Sequence, residues 1–247
     1  MSQISLNQVT RDRVVLLHGI ASTSRSLRKL ERALQAAGFV TLNIDYASRK
    51  KPIAALADDI HPAIARFSGA DNAPLHFVAH SMGGLLVRAY IAKKRPKQLG
   101  RVVMLGTPNN GSEVADLLSQ LAPYRAFYGP AGLELTTGRA CGSQALPAPD
   151  YPVGIISGNR FIDPVAGLFV LPKPNDGRVS LQSSMVEGMA DQIVIKTFHF
   201  GLPRNAVAIE QTIAFLRDGR FRPPLQDGVA TARALDHLSI ISDRTVV

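Results

Sequence analysis

The sequence predicts an α/β fold, a mostly parallel, doubly wound sheet with helices on both faces. Three observations carry this. Short apolar runs of strand length alternate with segments of helical periodicity. The runs are continuous in Val, Ile and Leu, as in strands covered on both faces. One run ends on a tight small-residue corner, AHSMGG at Ala79 to Gly84, that leads straight into a helical pattern.

Val14 to Leu17 (VVLL) is the first strand. Leu27, Leu30, Leu34 and Ala37 then share a helical face, and Gly38 is a natural stop. Phe39 to Ile44 reads as the second strand. Ile53, Leu56, Ile60, Ile64 and Phe67 lie on one face of a helix that Pro62 is expected to kink or divide. Leu75 to Ala79 is the third strand, and Gly83 to Lys94 the helix after the corner. Val102 to Leu105, Val153 to Ser157 and Ile193 to Phe198 supply strands four to six, and Ala206 to Leu216 a closing helix. Thr107 to Pro152 interrupts the alternation. It holds one short helical stretch, Glu113 to Leu121, and reads as a loop bordering a pocket. The expected organisation is a single domain over 1–221, followed by a tail, 222–247, of weak periodicity.

A chain of 247 residues, 46% hydrophobic, can bury a full core. With 28 Lys+Arg against 19 Asp+Glu, the net charge of +9 favours anionic surfaces. The basic clusters SRKK (Ser48 to Lys51) and KKRPK (Lys93 to Lys97) are short and lack interleaved aromatics, so nucleic acid is not an expected partner. The single cysteine, Cys141, excludes an internal disulfide and a multi-cysteine metal site. The polar opening MSQISLNQVTRDR has no signal-peptide core, and the expected compartment is the cytoplasm.

Ser81 sits between a buried strand and a helix. A sharp turn there strains the serine backbone, lifts its hydroxyl clear of the sheet and demands small neighbours, a pattern written G-x-S-x-G. Here it is Ala79-His80-Ser81-Met82-Gly83, with alanine in the first place. A lone match would equally suit a helix cap, but the strand–turn–helix context favours a nucleophile. A serine nucleophile needs a base. Of six histidines, His61 and His76 fall inside elements, and His80 is expected to point away from the hydroxyl. His199 follows the last strand and reaches the edge of the sheet where Ser81 lies; His237, in the tail, is a distant second. The acid that orients the base belongs between Ser81 and His199, and Asp163, Asp176 and Asp191 are candidates; residue type does not separate Asp163 from Asp176. The oxyanion donors are expected at the N–H groups of Met82 and Ile20, the latter in the His18-Gly19-Ile20 turn after the first strand.

These residues resemble the α/β-hydrolase superfamily, and within it the compact bacterial lipases and the inositol-deacylase-like serine hydrolases. The matching blocks are VVLLHGI (Val14 to Ile20), AHSMGG, LGTPNNGSEVAD (Leu105 to Asp116), PNDGRVSLQSS (Pro174 to Ser184) and FHFGLP (Phe198 to Pro203). The resemblance implies Ser81 as nucleophile, Asp176 as acid, His199 as base, and Ile20 and Met82 as oxyanion donors. It also implies a reduced α/β-hydrolase fold of roughly six strands, without the two leading strands of larger members and without an obvious lid. The expected activity is that of an esterase or lipase on a small-molecule or lipid ester, with no metal or organic cofactor. Thiol or amine leaving groups, and a hydrolase-fold binding protein without turnover, are the competing readings. Arg49, Lys50 and Lys51 follow the second strand, so they are expected near the site, where they could make peripheral contact with anionic lipid.

Overall fold

The computed structural model describes residues 11–69, 72–138, 146–161, 172–223 and 230–231. Asp163, Cys141, His237 and most of the tail lie outside them. The sheet has seven strands in the order β2-β1-β3-β4-β5-β6-β7. β1 (Arg13–Leu17), β2 (Val40–Ile44), β3 (Leu75–His80), β4 (Leu99–Leu105), β5 (Val153–Gly158) and β6 (Asp191–Ile195) are parallel. β7 (Ala230–Thr231), a piece of the tail, pairs antiparallel with β6.

Alternate residues of each apolar run face opposite layers, so both faces of the sheet are covered. Val15, Leu17, Phe77, Ala79 and Met104 pack with α2 (Ile53–Ser68) and α3 (Met82–Lys94). Val14, Leu16, Val78, Val103 and Leu105 pack on the other face with α1 (Arg28–Ala36) and the closing helix (Ala206–Asp218). α1 is entered through a 3-10 turn, Ser24–Leu27, and stops where Gly38 takes a φ of 93°. The closing helix is capped by the Asn205 side chain, which accepts from the Ala208 N–H at 3.1 Å, and ends at left-handed Gly219.

α2 is not divided at Pro62; it runs through to Ser68. Pro62 and Asp58, whose carbonyl loses its helical donor, are both exposed, so water replaces the missing bond. β6 stops at Ile195, three residues earlier than expected. From Thr197 the backbone turns onto Asp176, and a 3-10 turn, His199–Arg204, opens there.

The interruption between β4 and β5 contains more helix than its sequence suggests. α4 (Glu113–Ser119) begins on a Ser112 cap and is followed by α5 (Ala122–Leu133). α5 breaks at Gly129, with φ 61° and ψ −160°, just before Pro130. A short α6 (Leu181–Ser184) precedes β6, and the closing helix is α7. No obvious lid was expected, yet α4 and α5 cover the carboxyl ends of the strands. Tyr124, Phe127 and Tyr128 of α5 all line the cavity there.

Candidate active site

The chain runs outward from β1 to β2 and returns to place β3 on the other side of β1. Ligand crevices in open α/β sheets form at such a reversal, beyond the carboxyl ends of the strands. The His18-Gly19-Ile20 turn leaves β1 there, and Ser81 leaves β3 beside it.

Ser81 has φ 56° and ψ −130°, and only Ala21 shares a positive φ among the described non-glycine residues. Its surroundings hold this strained geometry. The Ser81 N–H donates to the Leu105 carbonyl at 2.9 Å, and its own carbonyl accepts from the Thr107 hydroxyl at 2.9 Å and the Gly84 N–H at 3.0 Å. The glycines of the corner are steric necessities. A Cβ on Gly83 would lie 2.5 Å from the Leu17 carbonyl oxygen, and one on Gly84 would strike Thr107.

His199 and Asp176 meet Ser81 from the far side of β4. The His199 Nδ1–H donates to Asp176 Oδ2 at 2.8 Å, which leaves Nε2 bare at 3.0 Å from the Ser81 hydroxyl. Asp176 is fixed at its other oxygen by the N–H groups of Val179 (2.8 Å) and Arg178 (3.0 Å), and its carbonyl accepts from the His199 N–H at 3.0 Å. All three side chains are buried, Ser81 least at 9% exposed. Gly106 makes room for the pair: a Cβ there would come within 3.1 Å of both Asp176 Oδ2 and His199 Nδ1. The third candidate acid, Asp191, opens β6 at the opposite ends of the strands and accepts from the Phe221 N–H at 2.9 Å.

Ile20 and Met82 flank the serine. Ile20 lines the cavity, and Met82 opens α3, where an N–H has no acceptor within its own helix. Neither N–H meets an acceptor among the described residues. Gly19 allows the close approach, since a Cβ on it would lie 3.0 Å from that of Ser81. The turn is secured by the Tyr46 hydroxyl donating to the His18 carbonyl, the His18 ring stacked on Tyr46, and the Ala21 N–H donating to Ser48 Oγ at 3.1 Å.

His80 turns away from the serine hydroxyl, as expected, but stays in the site. Its Nε2–H donates to the His199 carbonyl at 3.0 Å, with the two rings 4.8 Å apart. Burial, aided by the neighbouring His199, pushes its pKa down to about 3, so the ring is neutral. The basic cluster is likewise more engaged than its sequence suggests. Arg49 donates to the Phe127 carbonyl at 3.0 Å and lies 4.8 Å over the Phe127 ring, while Lys51 pairs with Asp59 at 2.7 Å.

The cavity over Ser81 has a volume of about 440 Å³. Ile20, Val114, Ala115, Leu135, Tyr124 and Tyr128 give it an apolar wall, and Arg178, Phe200 and Arg204 also line it. The sequence reading missed the aromatic wall, His80 and Thr107. The spacing of Tyr124 and Tyr128, one helical turn apart behind Pro123, was the available signal for the first. Among the described residues no cluster of His, Cys, Asp and Glu could hold a metal ion.

The family model for the alpha/beta hydrolase fold matches residues 12–132. No curated protein matches the chain in sequence. Among solved structures, the mature lipase BlEst2 of Bacillus licheniformis superposes with a TM-score of 0.64 at 18% identity, over 87% of this chain and 95% of that one. Phospholipase PlaB of Legionella pneumophila gives 0.63 at 15% identity, over 85% of this chain but only 57% of that one. The esterase EaEST of Exiguobacterium antarcticum gives 0.58 at 13%, over 85% and 93%. At these identities the likeness is one of fold.

Proposed function

The chain has the α/β-hydrolase fold, and on it we propose a serine hydrolase that cleaves carboxylic esters through an acyl-enzyme on Ser81. One observation carries this reading: the Ser81 hydroxyl, the His199 ring and the Asp176 carboxylate form one hydrogen-bonded line, at 3.0 and 2.8 Å, opening into a cavity of ligand size.

His199 Nε2 takes the hydroxyl proton as Ser81 Oγ attacks the ester carbonyl. Asp176 holds the ring in the required tautomer and stabilises the imidazolium. The carbonyl oxygen becomes an oxyanion, bound by the N–H groups of Ile20 and Met82 and favoured by the N-terminus of α3. His199 then protonates the departing alkoxide. Water, deprotonated by the same nitrogen, attacks the acyl-enzyme and restores the hydroxyl of Ser81. The apolar wall receives the acyl chain, which supports an ester or lipid substrate. None of these steps calls on a metal or an organic cofactor.

The test is turnover of p-nitrophenyl esters with acyl chains of increasing length, together with stoichiometric labelling by a fluorophosphonate. Both are expected for the wild type and neither for Ser81→Ala. Turnover that survives in Ser81→Ala removes the serine from the mechanism, and absence of turnover and labelling in the wild type leaves a hydrolase-fold binding protein.

A further inference from the structure

The cavity is lined from two unlike sets of elements. The apolar wall is built from the β1 turn, α4 and α5. The rest of the lining belongs to the elements that carry His199 and Asp176: Phe200 and Arg204 lie in the 3-10 turn that His199 opens, and Arg178 is two residues past Asp176. No Asp, Glu or Lys is among the residues lining the cavity, while two arginines are.

Several other arginines of the fold are engaged. Arg95 pairs with Asp150 at 2.6 Å, and Arg88, Arg101 and Arg217 donate to backbone carbonyls. Arg178 and Arg204 have no carboxylate within ion-pair reach among the described residues. The Arg178 guanidinium lies 5.5 Å from the centre of the Phe200 ring. Stacking of this kind covers one face of the planar fork and leaves its N–H edge available for a bidentate acceptor. Its charge also reaches Tyr124, whose phenol burial pushes up to about 12. Arg204 is exposed at the rim, and its carbonyl accepts from Lys29 Nζ at 2.8 Å, which anchors a further cation beside it. An arginine-bearing rim without a lining acid is a site for an anion.

We propose that the ester cleaved here carries an anionic group, phosphate or carboxylate, on its alcohol portion, and that Arg178 and Arg204 bind that group. The inference rests on the serine-hydrolase reading, because that reading decides which side receives the alcohol. His199 protonates the leaving oxygen, so the alcohol portion lies against His199, on the side of Phe200, Arg178 and Arg204. The acyl portion then occupies the apolar wall. The anion is therefore on the part released first, and the acyl-enzyme that remains is neutral.

The experiment uses two soluble esters that differ only in the anion: the butyrate ester of glycerol 3-phosphate and that of glycerol. The full chain is expected to prefer the phosphorylated ester in kcat/KM by roughly ten- to a hundred-fold, the range for hydrogen bonds to a charged group. The preference shrinks as salt is raised. Arg178→Gln and Arg204→Gln each lower the ratio, and the double variant brings it near one. Lys97→Gln, at the opposite edge of the sheet, keeps the ratio and controls for net charge. Fluorophosphonate labelling of each variant shows that the serine site is still formed. Vesicles of phosphatidylglycerol separate two sources of the anion: turnover there assigns a lipid head group, and turnover of the soluble ester alone assigns a soluble phosphate ester. A ratio near one in the wild type, or a preference that survives the double variant, overturns the inference while leaving the serine hydrolase intact. Absence of both turnover and labelling ends the two readings together.

Discussion

Ser81 sits at a position where its conformation, not its side-chain packing, is the demanding feature. Three hydrogen bonds to its backbone and two glycines hold it. Replacing the hydroxyl by hydrogen leaves them all in place. Ser81→Ala is therefore expected to fold as the wild type does, with an unchanged far-UV spectrum and urea midpoint, and to lose ester turnover by a factor on the order of a million. Asp176→Asn keeps the shape of the acid but not its charge, and its amide can favour the wrong tautomer of His199. A loss of about ten thousand-fold in kcat is expected, against a small effect for Asp163→Asn. The opposite ranking moves the acid to Asp163. That choice could not be made from residue chemistry, since both aspartates lie in turn-forming sequence between the right strands. The family resemblance pointed to the Asp176 loop, and its physical reason lies in three dimensions, where Asp176 accepts from His199, Arg178 and Val179 at once. His80 was illegible for a related reason. A histidine beside a nucleophile has no sequence signal for which backbone its ring will reach. Its bond to the His199 carbonyl makes it a positioning residue, so His80→Phe is expected to lower kcat more than it raises KM, with His80→Gln recovering part of the loss. Equal effects of Phe and Gln on kcat would mean that the ring only fills space.

The β-strands were the most legible elements, because a strand buried on both faces leaves a run of Val, Ile and Leu that little else produces. α5 was the least legible. Gly129-Pro130 is a breaker pair in sequence and reads as loop. In the fold it is a bend between two helical halves, held from outside. Arg49 binds the Phe127 carbonyl and ring, and its own backbone carbonyl packs against Gly129 so closely that a Cβ there would overlap it. Segment Ala122–Leu133 is thus seated on the loop after β2, over the cavity. Gly129 also occupies backbone space that only glycine enters readily. Gly129→Ala is expected to unseat the segment without disturbing the sheet. Hydrolysis of long-chain esters should fall by roughly ten- to a hundred-fold in kcat/KM, a cost typical of lost positioning. Acetate esters, which need little of the apolar wall, should lose less, and limited proteolysis should begin between Ser112 and Thr137. Equal losses on short and long chains would show that the segment does not bind the acyl group.

At the scale of the whole molecule, the consequence of this fold is an acid-sensitive stability. Three histidines, His18, His76 and His80, are buried by the same doubly covered sheet that hides the apolar runs. Desolvation is the leading cause lowering the pKa of each; in His76 it outweighs the pull of Asp12 in the other direction. An unfolded histidine binds a proton near its ordinary value of 6.5, while folded His80 waits until about 3. Between these values the unfolded state holds more protons, so acid favours unfolding. For His80 the stabilisation from keeping the ring neutral is complete above about pH 6.5 and is lost as pH falls toward 3; His18 and His76 act in the same direction. His80 contributes up to about 1.4 kcal/mol per pH unit in that window. Urea midpoints are therefore expected to hold between pH 8 and 7 and to drop steadily from pH 6.5 to 4.5. His80→Gln, which cannot take a proton but retains a donor for the His199 carbonyl, should flatten the drop even if it lowers the midpoint at pH 7.5. A variant whose midpoint falls as steeply as the wild type's would assign the acid sensitivity to other groups.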